Sequence, residues 1–126
     1  MEERKLTYAE EVVMRCVWNY GEDEIPFLTL IEELRENYNK DYKRTTVRTF
    51  LFDLEEKGYV KVERRGKFSY VIPLVQKEDY RKAQAEAMLD IWFDGSAGSL
   101  ISALSESLSE EEAKRLNQLL DELDVQ

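Results

Sequence analysis

The chain has 126 residues, 43% hydrophobic and 36% charged, with a formal net charge of −9 at pH 7. That balance is globular rather than disordered, and the length suits one domain or a small domain with an appendage. No apolar run approaches the roughly 20 residues that cross a bilayer; Cys16 is the sole cysteine and histidine is absent, which excludes an internal disulfide, a Cys/His zinc centre and an imidazole base.

The opening MEERKLTYAEE is charged and has no apolar secretory segment, so the cytoplasm is the expected compartment. Thr7-Tyr8-Ala9-Glu10 fits a capping box, with Thr7 as N-cap and Glu10 reaching back. Val13, Val17 and Tyr20 then follow a helical period up to Gly21, with Met14 and Trp18 beside them. Cys16 lies between Val12, Val13 and Val17, the setting of an inert core thiol.

A polar turn leads to Ile25-Pro26, and Pro26 suits the opening of a second helix because the first turn does not need its missing N–H. Phe27, Leu30, Ile31 and Leu34 form the apolar stripe of that helix, which ends near Asn37-Tyr38-Asn39. A third helix is expected from about Lys43 to Lys57, with Gly58 as its left-handed stop. "YVKVE" and "KFSYVIP" around Arg64-Arg65-Gly66 then give a hairpin signal, closed by Pro73.

From Gln76 the pattern changes. A helix is expected from about Lys77 to Phe93; "DGSAGS" breaks it, and a short apolar piece follows with Leu100, Ile101 and Leu104. Ser109-Glu110-Glu111-Glu112 is a second capping box, followed by the Leu116, Leu119, Leu120 and Leu123 stripe. The three consecutive glutamates suit the positive end of the helix dipole. With no Gly-rich phosphate loop and no metal-ligand set, no catalytic residue, metal or cofactor is expected, and the chain does not read as an enzyme.

Charge is unevenly spread. Residues 40–70 hold nine Lys/Arg against five Asp/Glu, whereas residues 76–126 hold five against twelve. Local charge governs contact, because fields are screened within about 10 Å. On the third helix Val47, Phe50, Leu51 and Leu54 share one side, and Thr45, Arg48, Thr49 and Phe52 fall almost opposite, with Thr46 on a flank.

Three threonines in five residues weaken a helix by roughly 0.5 kcal/mol each relative to alanine. Short hydroxyls suit phosphate oxygens and base edges, the threonine methyl suits thymine, and arginine suits guanine. The basic tip Arg64, Arg65 and Lys67 has the character of a wing on phosphate. A solvated amphipathic helix with no partner explains the same face less fully, and a protein-interaction module on the same scaffold remains the alternative.

"LTYAEEVVMRCVW", "TTVRTFLFDLEEKGYV", "RRGKFSYVIPLV" and "LSEEEAKRLNQLLDEL" together closely resemble the penicillinase-repressor (BlaI/MecI/CopY) family, in order and over nearly the whole chain. The resemblance implies a mainly α fold with a small β-hairpin wing: a winged helix-turn-helix DNA-binding domain over residues 1–75 and a helical dimerisation region over residues 76–126. It implies a homodimeric repressor on a palindromic operator of double-stranded DNA. Thr45, Thr46, Arg48 and Thr49 would read or brace the major groove, Lys43 and Arg44 would meet phosphate at the helix entrance, and Arg64, Arg65 and Lys67 would be wing contacts. Many relatives begin this helix with Ser-Pro, where this chain has Lys43-Arg44.

Relatives controlling β-lactam resistance are cut at an Asn-Phe bond, which raises a regulatory protease as a partner. No Asn-Phe occurs here, and the matching place holds Ala103-Leu104. The Cys-x-Cys of copper-responsive relatives is also missing from "LDELDVQ".

Fifty-one residues are too few for an independent core. Docking onto the same chain is one way to cover the apolar tail. Pairing with a second copy is favoured, through Tyr80, Met88, Ile91, Trp92, Phe93, Leu100, Ile101, Leu104, Leu116, Leu119, Leu120 and Leu123.

Overall fold

The computed structural model describes residues 5–124. Its elements run α1 (Tyr8–Asn19), β1 (Ile25–Pro26), α2 (Phe27–Tyr38), α3 (Arg44–Glu56), β2 (Val60–Arg65), β3 (Phe68–Pro73), α4 (Lys77–Phe93), α5 (Ala97–Ser105) and α6 (Glu110–Asp124). The chain separates into two compact units, one up to Tyr80 and one from Arg81.

In the first unit, α1 starts on the expected capping box. The Thr7 hydroxyl accepts from the Glu10 N–H at 3.2 Å, and the Thr7 N–H donates to Glu10 Oε1 at 2.9 Å. Pro26 occupies the N-cap position of α2, just before its first turn and without a side-chain capping bond, and Asn39 ends that helix in the left-handed region, with φ 55°. Helix α3 closes in a Schellman arrangement. Gly58, at φ 82°, donates to the Glu55 carbonyl, and Tyr59 donates to that of Leu54.

Strands β2 and β3 form the expected hairpin, and β1 adds a third, antiparallel strand in the order β1-β3-β2, with Ile25 opposite Val71. The Gly66-Lys67 loop joins the paired residues Arg65 and Phe68. Gly66 has φ 64° and Lys67 a negative φ, which defines a type II′ turn matched to the strand twist.

The core gathers the apolar face of each element: Val12, Val13, Met14, Cys16 and Val17 from α1; Phe27, Leu30 and Leu34 from α2; Val47, Leu51 and Leu54 from α3; and Ile25, Val60 and Val71 from the sheet. Burial pushes the Cys16 thiol up to about 12, with the charge of Glu33 adding to the effect. One carboxylate is also buried. Glu10, 3% exposed, accepts from Lys57 Nζ at 2.6 Å, and the same ammonium donates to the Lys5 carbonyl at 3.0 Å. This pair ties the first turn of α1 to the C-cap of α3.

The first unit is completed by a residue from α4. Tyr80, expected from the sequence among chain-pairing residues, instead packs here, 5.4 Å from the Trp18 ring and 5.9 Å from the Tyr59 ring. Its hydroxyl donates to Glu11 at 2.5 Å, and Trp18 Nε1 donates to the Val75 carbonyl at 2.9 Å. Burial raises the Tyr80 phenol, and the Glu11 carboxylate raises it further. An amphipathic ring beside an unfilled aromatic corner is better placed there than on an open helix face.

In the second unit Asp94 and Gly95 break the chain with φ 48° and 77°. Ser96 caps α5 by accepting from the Ser99 N–H at 3.1 Å, and Ser109 and Glu112 cap α6 reciprocally. Among its described side chains none is buried. Met88, Ile91, Trp92, Leu104 and Leu119 are exposed, while Phe93, Leu100, Ile101 and Leu116 are half-buried. The side chains of Leu120 and Leu123 lie outside the described residues.

Candidate nucleic-acid interface

Helix α3 is held by Val47, Leu51 and Leu54, so its opposite face is committed to the outside. Thr45, Arg48, Thr49 and Phe52 are exposed there, Arg44 is exposed at the start of the helix, and Thr46 is half-buried on the flank. Lys43 is the N-cap; its ammonium has no acceptor to offer the first-turn N–H groups, makes no capping bond and is exposed. The Arg48 guanidinium lies 4.3 Å from the centroid of the Phe27 ring, a cation–π contact that preorganises the planar group at little cost to its N–H donors. Thr49 Oγ1 donates to the Thr45 carbonyl at 3.0 Å; its proton is therefore used, leaving an acceptor and a methyl to face outward.

The wing divides the three cations that the sequence grouped together. Successive strand positions face opposite sides, and Arg64 shares its side with Val60 and Val62, which pack on the core. Its Nε donates to the Gly66 carbonyl at 3.0 Å, while Lys67 occupies the exposed tip. Arg65 faces the other way. Both of its terminal nitrogens lie 2.7 Å from the Glu24 carboxylate, Nε lies 2.6 Å from Glu63, and the guanidinium stands 4.5 Å over the Tyr70 ring. The bidentate hydrogen bond from Arg65 holds the Glu24 carboxyl below the usual carboxylate range. Arg65 thus braces the wing against the loop before β1.

Arg44, Arg48, Arg64 and Lys67 converge on one cleft, whose walls include Phe27, Phe68 and Tyr70. No carboxylate among the described residues lines it. A concentrated cationic surface in an acidic chain, at the exposed start of a helix beside a hairpin tip, is suited to a polyanion. The Arg48–Phe27 stack and the Arg65–Glu24 brace were not anticipated. The alternation of β2 could have placed Arg65 away from Arg64, but the Glu24 contact joins residues 41 positions apart and has no local signal.

Three helices, a short strand and a two-stranded hairpin flanking the third helix define a winged helix-turn-helix protein. The chain belongs to the penicillinase repressor family, which it matches over residues 6–122. It is 28% identical over 119 residues to an uncharacterized 16.5 kDa protein of the ptsI 3′ region of Latilactobacillus sakei, covering 92% of this chain and 78% of that one. The solution structure of the DNA-binding domain of the repressor BlaI is similar, with a TM-score of 0.52 and 25% identity, over 61% of this chain and 89% of that domain. The hsRosR-S1 complex structure shares the fold, with a TM-score of 0.53 and 18% identity, over 99% of this chain and 97% of that one.

Among the described residues no helix is long and apolar enough to cross a membrane, and no group of His, Cys, Asp and Glu is arranged to hold a metal ion.

Proposed function

We propose that the chain is a sequence-specific transcriptional repressor that binds, as a homodimer, a double-stranded operator with inverted-repeat symmetry. The observation that carries this reading is the exposed Thr45, Arg48 and Thr49 face of α3, with Arg44 at its start, set beside Arg64 and Lys67 of the wing. Helix-turn-helix proteins place such N-terminal residues against base edges in the major groove. The BlaI domain, similar over the same region, is a repressor's DNA-binding domain. Lys43 and Arg44 at the helix entrance, with Lys67, supply phosphate contacts that set affinity; Arg48, Thr45, Thr46 and Thr49 supply sequence preference.

Pairing of two copies is supported by the second unit. Met88, Ile91 and Trp92 have i, i+3, i+4 spacing on α4, and Ile91 and Trp92 are 68% and 76% exposed. Apolar surface of this kind marks an interaction site. A two-fold interface would bring Phe93, Leu100, Ile101, Leu104, Leu116 and Leu119 together and set two α3 helices against two half-sites. Release by a regulatory protease would require opening α5, since Ala103-Leu104 lie within its hydrogen-bonded turns.

A gel-shift series against genomic inverted repeats and random duplex tests the reading. Arg48→Ala should narrow the preference for the best repeat by about 1–3 kcal/mol, and affinity should fall steeply with salt. Equal binding of every duplex would end the specific-repressor reading. The alternative, a protein-interaction module, draws on Phe52, which is 62% exposed on the same face. Reversing the charges of Arg48 and Arg64 separates the two, because a partner docked on Phe52 alone would be retained.

A further inference from the structure

The cleft between α3 and the wing has a volume of about 320 Å³. That is the lower end of the range in which proteins hold small molecules, enough for one aromatic ring and its substituents. Its composition is two-fold. Arg44, Arg48, Arg64 and Lys67 supply positive charge, and none of Arg44, Arg48 or Lys67 is paired with a carboxylate among the described residues. Leu28, Phe68 and Tyr70 supply apolar and aromatic walls, and the buried Phe27 ring lies beneath the Arg48 guanidinium, 4.3 Å from its centroid.

A backbone phosphate uses the cations but gains nothing from ring walls, because its oxygens stay hydrated and it carries no apolar surface to bury. Phe68 is 53% exposed beside the cations, and a partner with an apolar face would cover that ring. Ring surfaces at a cationic mouth match a ligand having a planar apolar body and an anionic head.

We propose that this cleft binds a small aromatic anion, one ring bearing a carboxylate or phosphate, and that the bound anion competes with DNA for Arg44, Arg48, Arg64 and Lys67. The chain then carries its own ligand-responsive release within the DNA-binding unit, with no proteolysis. The binding step stands by itself; the competition step rests on the DNA reading above.

The experiment is calorimetric titration of the full chain, without DNA, with three probes: phenyl phosphate, inorganic phosphate and benzyl alcohol. Phenyl phosphate should bind once per chain, about tenfold or more tighter than either other probe, since only it uses both the charge and the walls. Phe68→Ala, a change at an exposed ring, should bring the phenyl phosphate and inorganic phosphate affinities together. Arg48→Gln should weaken both anions. Equal affinities for the two phosphates in the unaltered chain would reduce the cleft to diffuse positive charge and overturn the proposal, as would the lack of saturable binding.

A gel shift at matched ionic strength then reads the second step. Phenyl phosphate should release a bound duplex at concentrations that saturate the cleft, while inorganic phosphate should not. Duplex that stays bound to the saturated protein overturns the competition. A chain that binds phenyl phosphate but no duplex would instead refute the DNA reading and leave the cleft assigned.

Discussion

Replacing Lys57 by Met removes the cation that lies 2.6 Å from the buried carboxylate of Glu10 and leaves its aliphatic volume nearly unchanged. Glu10 keeps the Thr7 N–H, at 2.9 Å, but a charge 3% exposed loses its cation. Breaking a buried ion pair from one side costs about 3–5 kcal/mol, and the partial exposure of the Lys57 side chain places this one at roughly 2–4 kcal/mol. For a unit of this size the melting temperature should fall by about 10 °C or more.

The pH dependence gives a sharper test. Burial pushes the Glu10 carboxyl up, but the Lys57 and Thr7 donors together outweigh it, and the net position is below the ordinary carboxylate range. A folded-state value below the unfolded one stabilises above the unfolded value, about pH 4, and the contribution is lost as pH falls through the folded value. In Lys57→Met only the Thr7 donors still oppose burial, so protonation relieves the variant. The stability gap measured by urea unfolding with circular dichroism should therefore be wide at pH 7 and close toward pH 3. A gap that is the same at both pH values, or below about 0.5 kcal/mol at pH 7, would refute the assignment of this pair as the bond between α1 and the end of α3.

Arg65→Ala and Glu24→Gln should each weaken duplex binding by a similar modest factor, and the double variant should be no worse than either alone. Their effect would run through the position of the wing. Additive losses in a binding cycle would return Arg65 to direct phosphate contact. The Cys16 thiol, buried and pushed up to about 12, should stay unreacted toward a disulfide reagent at pH 8 until the protein is unfolded; stoichiometric reaction of the folded chain would contradict its place in the core.

Much of the architecture was legible because local chemistry and global packing agree. The Thr7–Glu10 box, Pro26, Gly58 and the alternation around Gly66 each mark an element boundary through a mechanism that acts within a few residues. Strand β1 escaped because two residues carry no period, and Ile25-Pro26 becomes a strand only through its pairing with Val71 and Tyr70. The exposed face of α3 followed from helical geometry. Arg65 did not, because its role is fixed by a carboxylate brought near through tertiary folding. Tyr80 was misread for a related reason: a tyrosine in the first turn of a new helix gives no local sign that Trp18 and Tyr59 leave a corner for its ring.

That corner bears on where the protein can be divided. A fragment stopping after the hairpin, at residue 75, would strip a wall from the indole of Trp18 and leave the Glu11 carboxylate without its phenolic donor. Extending the cut past Tyr80 restores both with five further residues, because the first unit takes in the opening turn of the helix that leads away from it.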